Sequence, residues 1–81
     1  MESKMKIKSA EAFCKLVELG GVAPAAEAMH CVPSNITKII KELESILLEP
    51  LFNRHSGRLI LTPFGRQYYE YAIQLINLNK N

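Results

Sequence analysis

Residues 33–47, PSNITKIIKELESIL, put two opposed faces on one helical repeat. Ile36, Ile40, Leu43 and Leu47 recur at i, i+4, i+7 and i+11 and form an apolar stripe. Ser34, Thr37, Lys38 and Lys41 recur at i, i+3, i+4 and i+7, and Ser45 continues that row. At roughly 100° per residue the two rows point largely away from each other. One side packs into a core, and the other displays hydroxyl and ammonium groups with no acid among them. Pro33 opens the helix, where a missing N–H had no intrahelical partner to lose.

Upstream, Ile7, Ala10, Phe13, Cys14 and Val17 recur at helical spacing, which predicts a first helix from Ser9, as N-cap, to Leu19. Gly20-Gly21 stops it. A short second helix is expected from Pro24 to Met29, with the small Ala25, Ala26 and Ala28 permitting close approach of a neighbour. His30-Cys31-Val32 then breaks the chain before Pro33. Downstream, the β-prone runs Leu51–Arg54 and Arg58–Thr62 flank His55-Ser56-Gly57 and predict a hairpin with Phe52, Leu59 and Leu61 facing the core. Thr62 as N-cap and Pro63 at the first position start a last helix to about Leu78, with Phe64, Tyr68, Ala72, Leu75 and Ile76 along one side. The order helix, helix, helix, hairpin, helix is a mainly α winged helix-turn-helix. Residues 1–62 make the winged unit, and 63–81 a last helix with a polar tail.

This arrangement suits duplex DNA. The major groove admits one α-helix, whose N-terminal residues reach base edges. Ser34, Asn35, Thr37 and Lys38 stand there, and the first-turn N–H groups attract phosphate. Lys41, one turn on, reaches the backbone and adds affinity rather than sequence choice. His30, just before the helix, is a second backbone candidate. Arg54, His55 and Arg58 crowd the hairpin tip, where cations on a narrow projection fit the minor groove and its flanking phosphates.

Bulk properties are compatible but not decisive. The chain has 81 residues, 48% apolar and 22% charged, with a formal net charge of only +2. That is one core, and a charge too small to indicate nucleic acid without a motif. Cys14 and Cys31 form no CxxC pair, and both are expected reduced and packed in a cytoplasmic protein. A zinc site from Cys14, His30, Cys31 and His55 would match no zinc spacing, so neither metal nor cofactor is expected. Glu11, Lys15 and Glu18 interrupt the first apolar stretch, which excludes a signal-peptide core, and no apolar run approaches the ~20 residues of a membrane span.

From about Ile7 to Ile76 the sequence resembles the N-terminal DNA-binding domain of LysR-type transcriptional regulators. The carrying segments are Ala12-Phe13 with Val17 and Gly20, and Ala25-Ala26-Glu27-Ala28-Met29-His30. Ser34-Asn35-Ile36-Thr37-Lys38 follows, with Ile40, Leu43-Glu44, Pro50-Leu51-Phe52-Asn53-Arg54 and Leu61-Thr62-Pro63-Phe64-Gly65. The resemblance implies a homodimer on an interrupted inverted repeat, with Pro33, Ser34, Thr37 and Lys38 facing bases and Arg54 entering the minor groove. It also implies that the last helix pairs with its partner through Phe64, Tyr68, Ala72, Leu75 and Ile76, the same side chains that could serve the chain's own core.

Several positions depart from that family. Ala23 and Pro24 stand where a hydroxyl and a basic residue are usual, and Val32-Pro33 replaces a common Ser-Gln pair. Leu48 occupies the place of a helix-ending glycine, and Ile39 that of a polar residue. Family members also carry a long C-terminal effector-binding domain, and this sequence stops at the end of the linker helix. The competing reading is a winged-helix protein-interaction module, an antirepressor or a heterodimerising partner. An enzyme is rejected: there is no phosphate loop and no nucleophile–base motif, and Glu42 and Glu44, two apart, share no helix face.

Overall fold

The computed structural model describes residues 2–79, with side chains from 7 to 78. Four helices and one hairpin follow in order: α1 (Glu2–Leu19), α2 (Val22–Ala28), α3 (Pro33–Leu47), β1 (Phe52–His55), β2 (Arg58–Leu61) and α4 (Pro63–Asn79). The expected winged helix-turn-helix is therefore the observed fold. Two starts differ from expectation. Ser9 is not a cap, because α1 already runs from Glu2 through a segment of helix-favouring Glu, Lys and Met. Pro24 sits in the third position of α2 rather than the first, since extended Gly21 caps the helix two residues earlier. Its missing N–H is tolerated there because first-turn donors have no partner inside the helix.

The core follows the apolar stripes. Phe13 and Ile36 are fully buried together with Ala10, Ala12, Ala25 and Ala26, so α1, α2 and α3 approach closely. Ile40 and Leu43 join them and Leu47 packs at the edge, the face anticipated for α3. Phe13 is also the aromatic hub. Its ring lies 5.5 Å from Phe52 of the wing and 5.3 Å, edge-on, from Tyr68 of α4. One side chain thus joins α1 to both later elements, each ring pair adding about 0.5–1.5 kcal/mol beyond area burial.

The hairpin pairs Phe52 with Leu61, Asn53 with Ile60, Arg54 with Leu59 and His55 with Arg58. Its loop is therefore only Ser56-Gly57, with φ of 53° and 77°. Positive φ at both central residues is the tight turn whose twist matches the strands. His55, expected in the turn, is instead the last residue of β1.

Leu51 precedes the wing and is fully buried. Its carbonyl accepts the Thr62 N–H at 3.0 Å, and the Thr62 hydroxyl donates to the Pro50 carbonyl at 2.8 Å. The same hydroxyl accepts the Gly65 N–H at 2.8 Å, which caps α4 as expected. A Cβ on Gly65 would fall on the Leu51 carbonyl oxygen, so only glycine lets α4 come this close.

Two helix ends use left-handed residues that carry a Cβ. His30 (φ 59°) closes α2 while its N–H donates to Glu27 and the Cys31 N–H to Ala26, the paired bonds of a Schellman turn. Leu48 (φ 62°) closes α3 with its N–H on the Glu44 carbonyl at 2.8 Å. Leu48 is 84% exposed, so it contributes little burial in return for that conformation. Relief of ~1–2 kcal/mol of left-handed strain exceeds the ~0.4–1 kcal/mol entropic cost of glycine. Leu48→Gly should therefore raise Tm by about 3–6 °C in thermal unfolding. Gly65→Ala should do the opposite, costing about 2–3 kcal/mol in denaturant titration because the atom it meets is backbone.

Candidate nucleic-acid interface

Helix α3 presents its polar row to solvent. Pro33, Ser34, Thr37, Lys38 and Lys41 are exposed, as is Ser45. Asn35, grouped with them on sequence, is half-buried and lies about 100° from Ser34, toward the flank of the helix. Thr37 Oγ1 donates back to the Pro33 carbonyl at 3.4 Å, a weak local bond that leaves its oxygen outward-facing. His30 is exposed in the turn before α3.

The entry edges of α2 and α3 are apolar. Neither N-cap, Gly21 nor Val32, supplies a side-chain hydrogen bond. Ala23 and Pro24 are exposed, and Val32 is 61% exposed beside Pro33. The leading edge of the helix-turn-helix is thus alkyl surface. Ile39, by contrast, is half-buried and packs on the core.

The strand register separates the three basic side chains of the wing. Alternation places Arg54 on the face of Phe52, Leu59 and Leu61, whereas His55 and Arg58 share the opposite face with Asn53 and Ile60. Arg54 lines a groove of about 150 Å³ between the wing and α3, together with Thr37, Lys41, Glu44 and Phe52. The three basic side chains do not form one cluster; of them Arg54 lines this groove, with Lys41 and Glu44.

Glu44 is the residue that sequence reasoning passed over as a site element. It is half-buried, and its Oε2 accepts the Leu51 N–H at 2.7 Å and the Phe52 N–H at 3.2 Å. The available signal was an acid one helical repeat beyond Thr37, at the rim of an otherwise basic face. Without the tertiary fold nothing tied that acid to the chain seven residues later.

In α4 the side expected to serve a partner is largely turned inward. Ala72 is fully buried, Tyr68 packs on Phe13, and Phe64, Leu75 and Ile76 are half-buried against the core. The exposed apolar groups of this helix are Tyr71, at 55%, and Leu78, at 77%. Tyr69, next to Phe13, donates its hydroxyl to Glu18 at 3.2 Å and ties α4 back to α1.

Another groove, of about 450 Å³, lies between α1 and the end of α4 and contains Cys14, Glu11, Glu18 and Lys15. Burial pushes the Cys14 thiol up to about 11, and Glu18 adds to the shift, so it is a neutral thiol and no nucleophile near neutrality. Tyr68 and Tyr69 are raised by burial as well. Among the described residues no three His, Cys, Asp or Glu side chains converge as metal ligands, and no helix is long and apolar enough to cross a membrane.

A helix-turn-helix followed by a two-stranded wing and a long terminal helix defines the winged helix-turn-helix class. More narrowly, the chain belongs to the LysR family of bacterial regulatory helix-turn-helix proteins, which it matches over residues 7–66. It is 35% identical over 75 residues to the HTH-type transcriptional regulator CzcR of Bacillus thuringiensis strain Al Hakam, across 93% of this chain and 25% of that protein. The chain thus spans about a quarter of the length of such relatives. The fold matches the CbnR DBD–DNA complex with a TM-score of 0.83 and 28% identity, covering 89% of this chain and 83% of that one. DarR of Vibrio fischeri, solved in complex with DNA, gives 0.85 and 27%, covering 91% of this chain and 25% of that one.

The raised thiol makes two outcomes measurable. At pH 8 a thiol reagent should label half-buried Cys31 in the native protein and reach Cys14 only on unfolding. A group whose pKa is raised in the fold keeps its stabilising effect below the unfolded value and loses it as pH climbs through the folded one. Denaturant stability should therefore hold to about pH 9 and fall toward pH 11, less steeply in Cys14→Ala, with the two tyrosines contributing the remainder.

Proposed function

We propose that this chain binds duplex DNA sequence-specifically as the DNA-reading part of a transcriptional regulator, and does so as a homodimer on an inverted repeat. One observation carries the reading: the outward row Ser34, Thr37, Lys38 and Lys41 contains no acid and borders the groove holding Arg54. Charge and shape along that line fit a duplex whose major groove receives α3 and whose adjacent minor groove receives the wing. Membership of a regulatory family, with relatives solved on DNA, supports the same reading.

In this reading Pro33, Ser34, Thr37 and Lys38 read bases, while Asn35 contributes from the flank. Lys41 and His30 hold phosphate, Arg54 takes the minor groove, and His55 with Arg58 meets flanking phosphates from the other face of the wing. The apolar leading edge at Ala23, Pro24, Val32 and Pro33 gives a base preference different from that of relatives carrying polar groups there. Residues 1–62 bind DNA and 63–81 form the dimer. The dimer contact uses the half-buried Phe64, Tyr68, Leu75 and Ile76 together with the exposed Tyr71 and Leu78, while Ala72 is fully buried within the chain. Catalysis has no part in this function, and the established relatives are regulators.

Selection from a random duplex pool, followed by salt titration, tests the reading. Wild type should enrich a two-fold-related sequence, with log affinity falling against log salt at about −0.9 per phosphate contact. Lys38→Ala should lose preference for the enriched duplex more than residual binding to random DNA. Weak, salt-sensitive association with no enrichment would overturn DNA reading and favour the protein-interaction module, with Tyr71 and Leu78 of α4 as its docking residues.

A further inference from the structure

A two-stranded hairpin is marginal in water on its own, and this wing has only β1 and β2. Its orientation relative to α3 therefore depends on what holds its base. Apolar packing of Phe52 on Phe13 supplies one hold, at 5.5 Å between rings. Thr62, at the end of the wing, adds bonds to the Leu51 and Pro50 carbonyls. A further hold comes from Glu44, on the last full turn of α3, whose single oxygen receives the N–H groups of Leu51 and Phe52. Bonds to a carboxylate are shorter and about twice as strong as neutral ones. They are also more narrowly directional than ring contacts. Arg54 lies two residues beyond Phe52 on the same strand face, about 7 Å away along β1. A small rotation at the base consequently displaces the arginine from the groove it shares with α3.

The acid's location is otherwise unfavourable. Glu44 lines the same groove as Lys41 and Arg54, where a duplex would bring phosphate. A negative charge there opposes DNA, so its presence calls for a role that outweighs repulsion. We infer that Glu44 is a positioning residue for DNA binding: its carboxylate fixes the base of the wing so that Arg54 and α3 engage adjacent grooves together. This role rests on the DNA-binding reading above.

Amide exchange and DNA affinity, measured on Glu44 variants of the full chain, separate positioning from charge. Glu44→Asp keeps the charge but is one methylene short of the two N–H groups, whereas Glu44→Gln keeps an acceptor oxygen at the same reach. Positioning requires Glu44→Asp and Glu44→Ala to exchange the Leu51 and Phe52 amides faster than wild type. Both should weaken binding to the enriched duplex by roughly five- to thirtyfold and flatten the salt slope by about one contact. Glu44→Gln should restore most of both properties. Arg54→Ala added to Glu44→Asp should cause little further loss, because the two act through one contact.

Losses that multiply, or Glu44→Asp behaving as wild type while Glu44→Gln binds more tightly, would show Glu44 to be only a local charge. Unaltered exchange in Glu44→Asp would remove the latch itself. If Glu44→Ala does not fold, Glu44→Asp and Glu44→Gln still decide between these outcomes. If wild type enriches no duplex, the DNA reading falls and this role with it. Enrichment by wild type with independent losses overturns the role of Glu44 alone.

Discussion

The short segment Pro50–Phe52 is the joint on which the arrangement of this domain depends. It is one buried leucine flanked by backbone groups that three elements compete to satisfy. Glu44 of α3 takes the two N–H groups, Thr62 at the head of α4 takes the two carbonyls, and Gly65 closes over the Leu51 carbonyl. Buried backbone donors and acceptors left unpaired would each cost about 1–3 kcal/mol, so these partners are strongly constrained. Because all three converge on three consecutive residues, α3, the wing and α4 share one origin. The angle between α3 and the wing is set here, far from either tip.

Phe13 provides the apolar counterpart. It touches the wing through Phe52 and α4 through Tyr68 and Tyr69, all at ring-packing distance. Such contacts supply energy but tolerate sliding. The hydrogen-bonded joint supplies direction. Together they leave the outer row of α3 free of structural duty: Ser34, Lys38 and Lys41 stand in solvent while Ile36, Ile40 and Leu43 carry the core. The separation of labour along one helix allows its outward residues to vary without unfolding the domain.

The wing shows a similar division through strand alternation. Phe52, Leu59 and Leu61 pack inward, and Arg54 continues their face beyond the core, over the groove. His55 and Arg58 take the other face, so three basic side chains that lie within five consecutive residues stand on two sides. In α4 the consequence runs the other way. The stripe of Phe64, Tyr68 and Ala72 packs on the core, Tyr68 against Phe13, and leaves Tyr71 and Leu78 as exposed apolar side chains.

By itself the sequence determined the element order, the start and end of α3, the Thr62-Pro63 cap and the polar row facing outward. These features follow from local rules: 3.6-residue periodicity, φ preferences at proline, and a hydroxyl's reach to its own helix. Even the tight wing turn was marked by Ser56-Gly57, though the register that draws His55 into β1 was not. Only the tertiary structure decided that Glu44 latches the wing, that Gly65 permits the approach of α4, and that Tyr68 and Ala72 face inward. It also decided that Arg54 parts company with His55 and Arg58. Each of these depends on groups brought together across a turn or between helices. Periodicity reports which face of an element is apolar, but not which neighbour that face will meet.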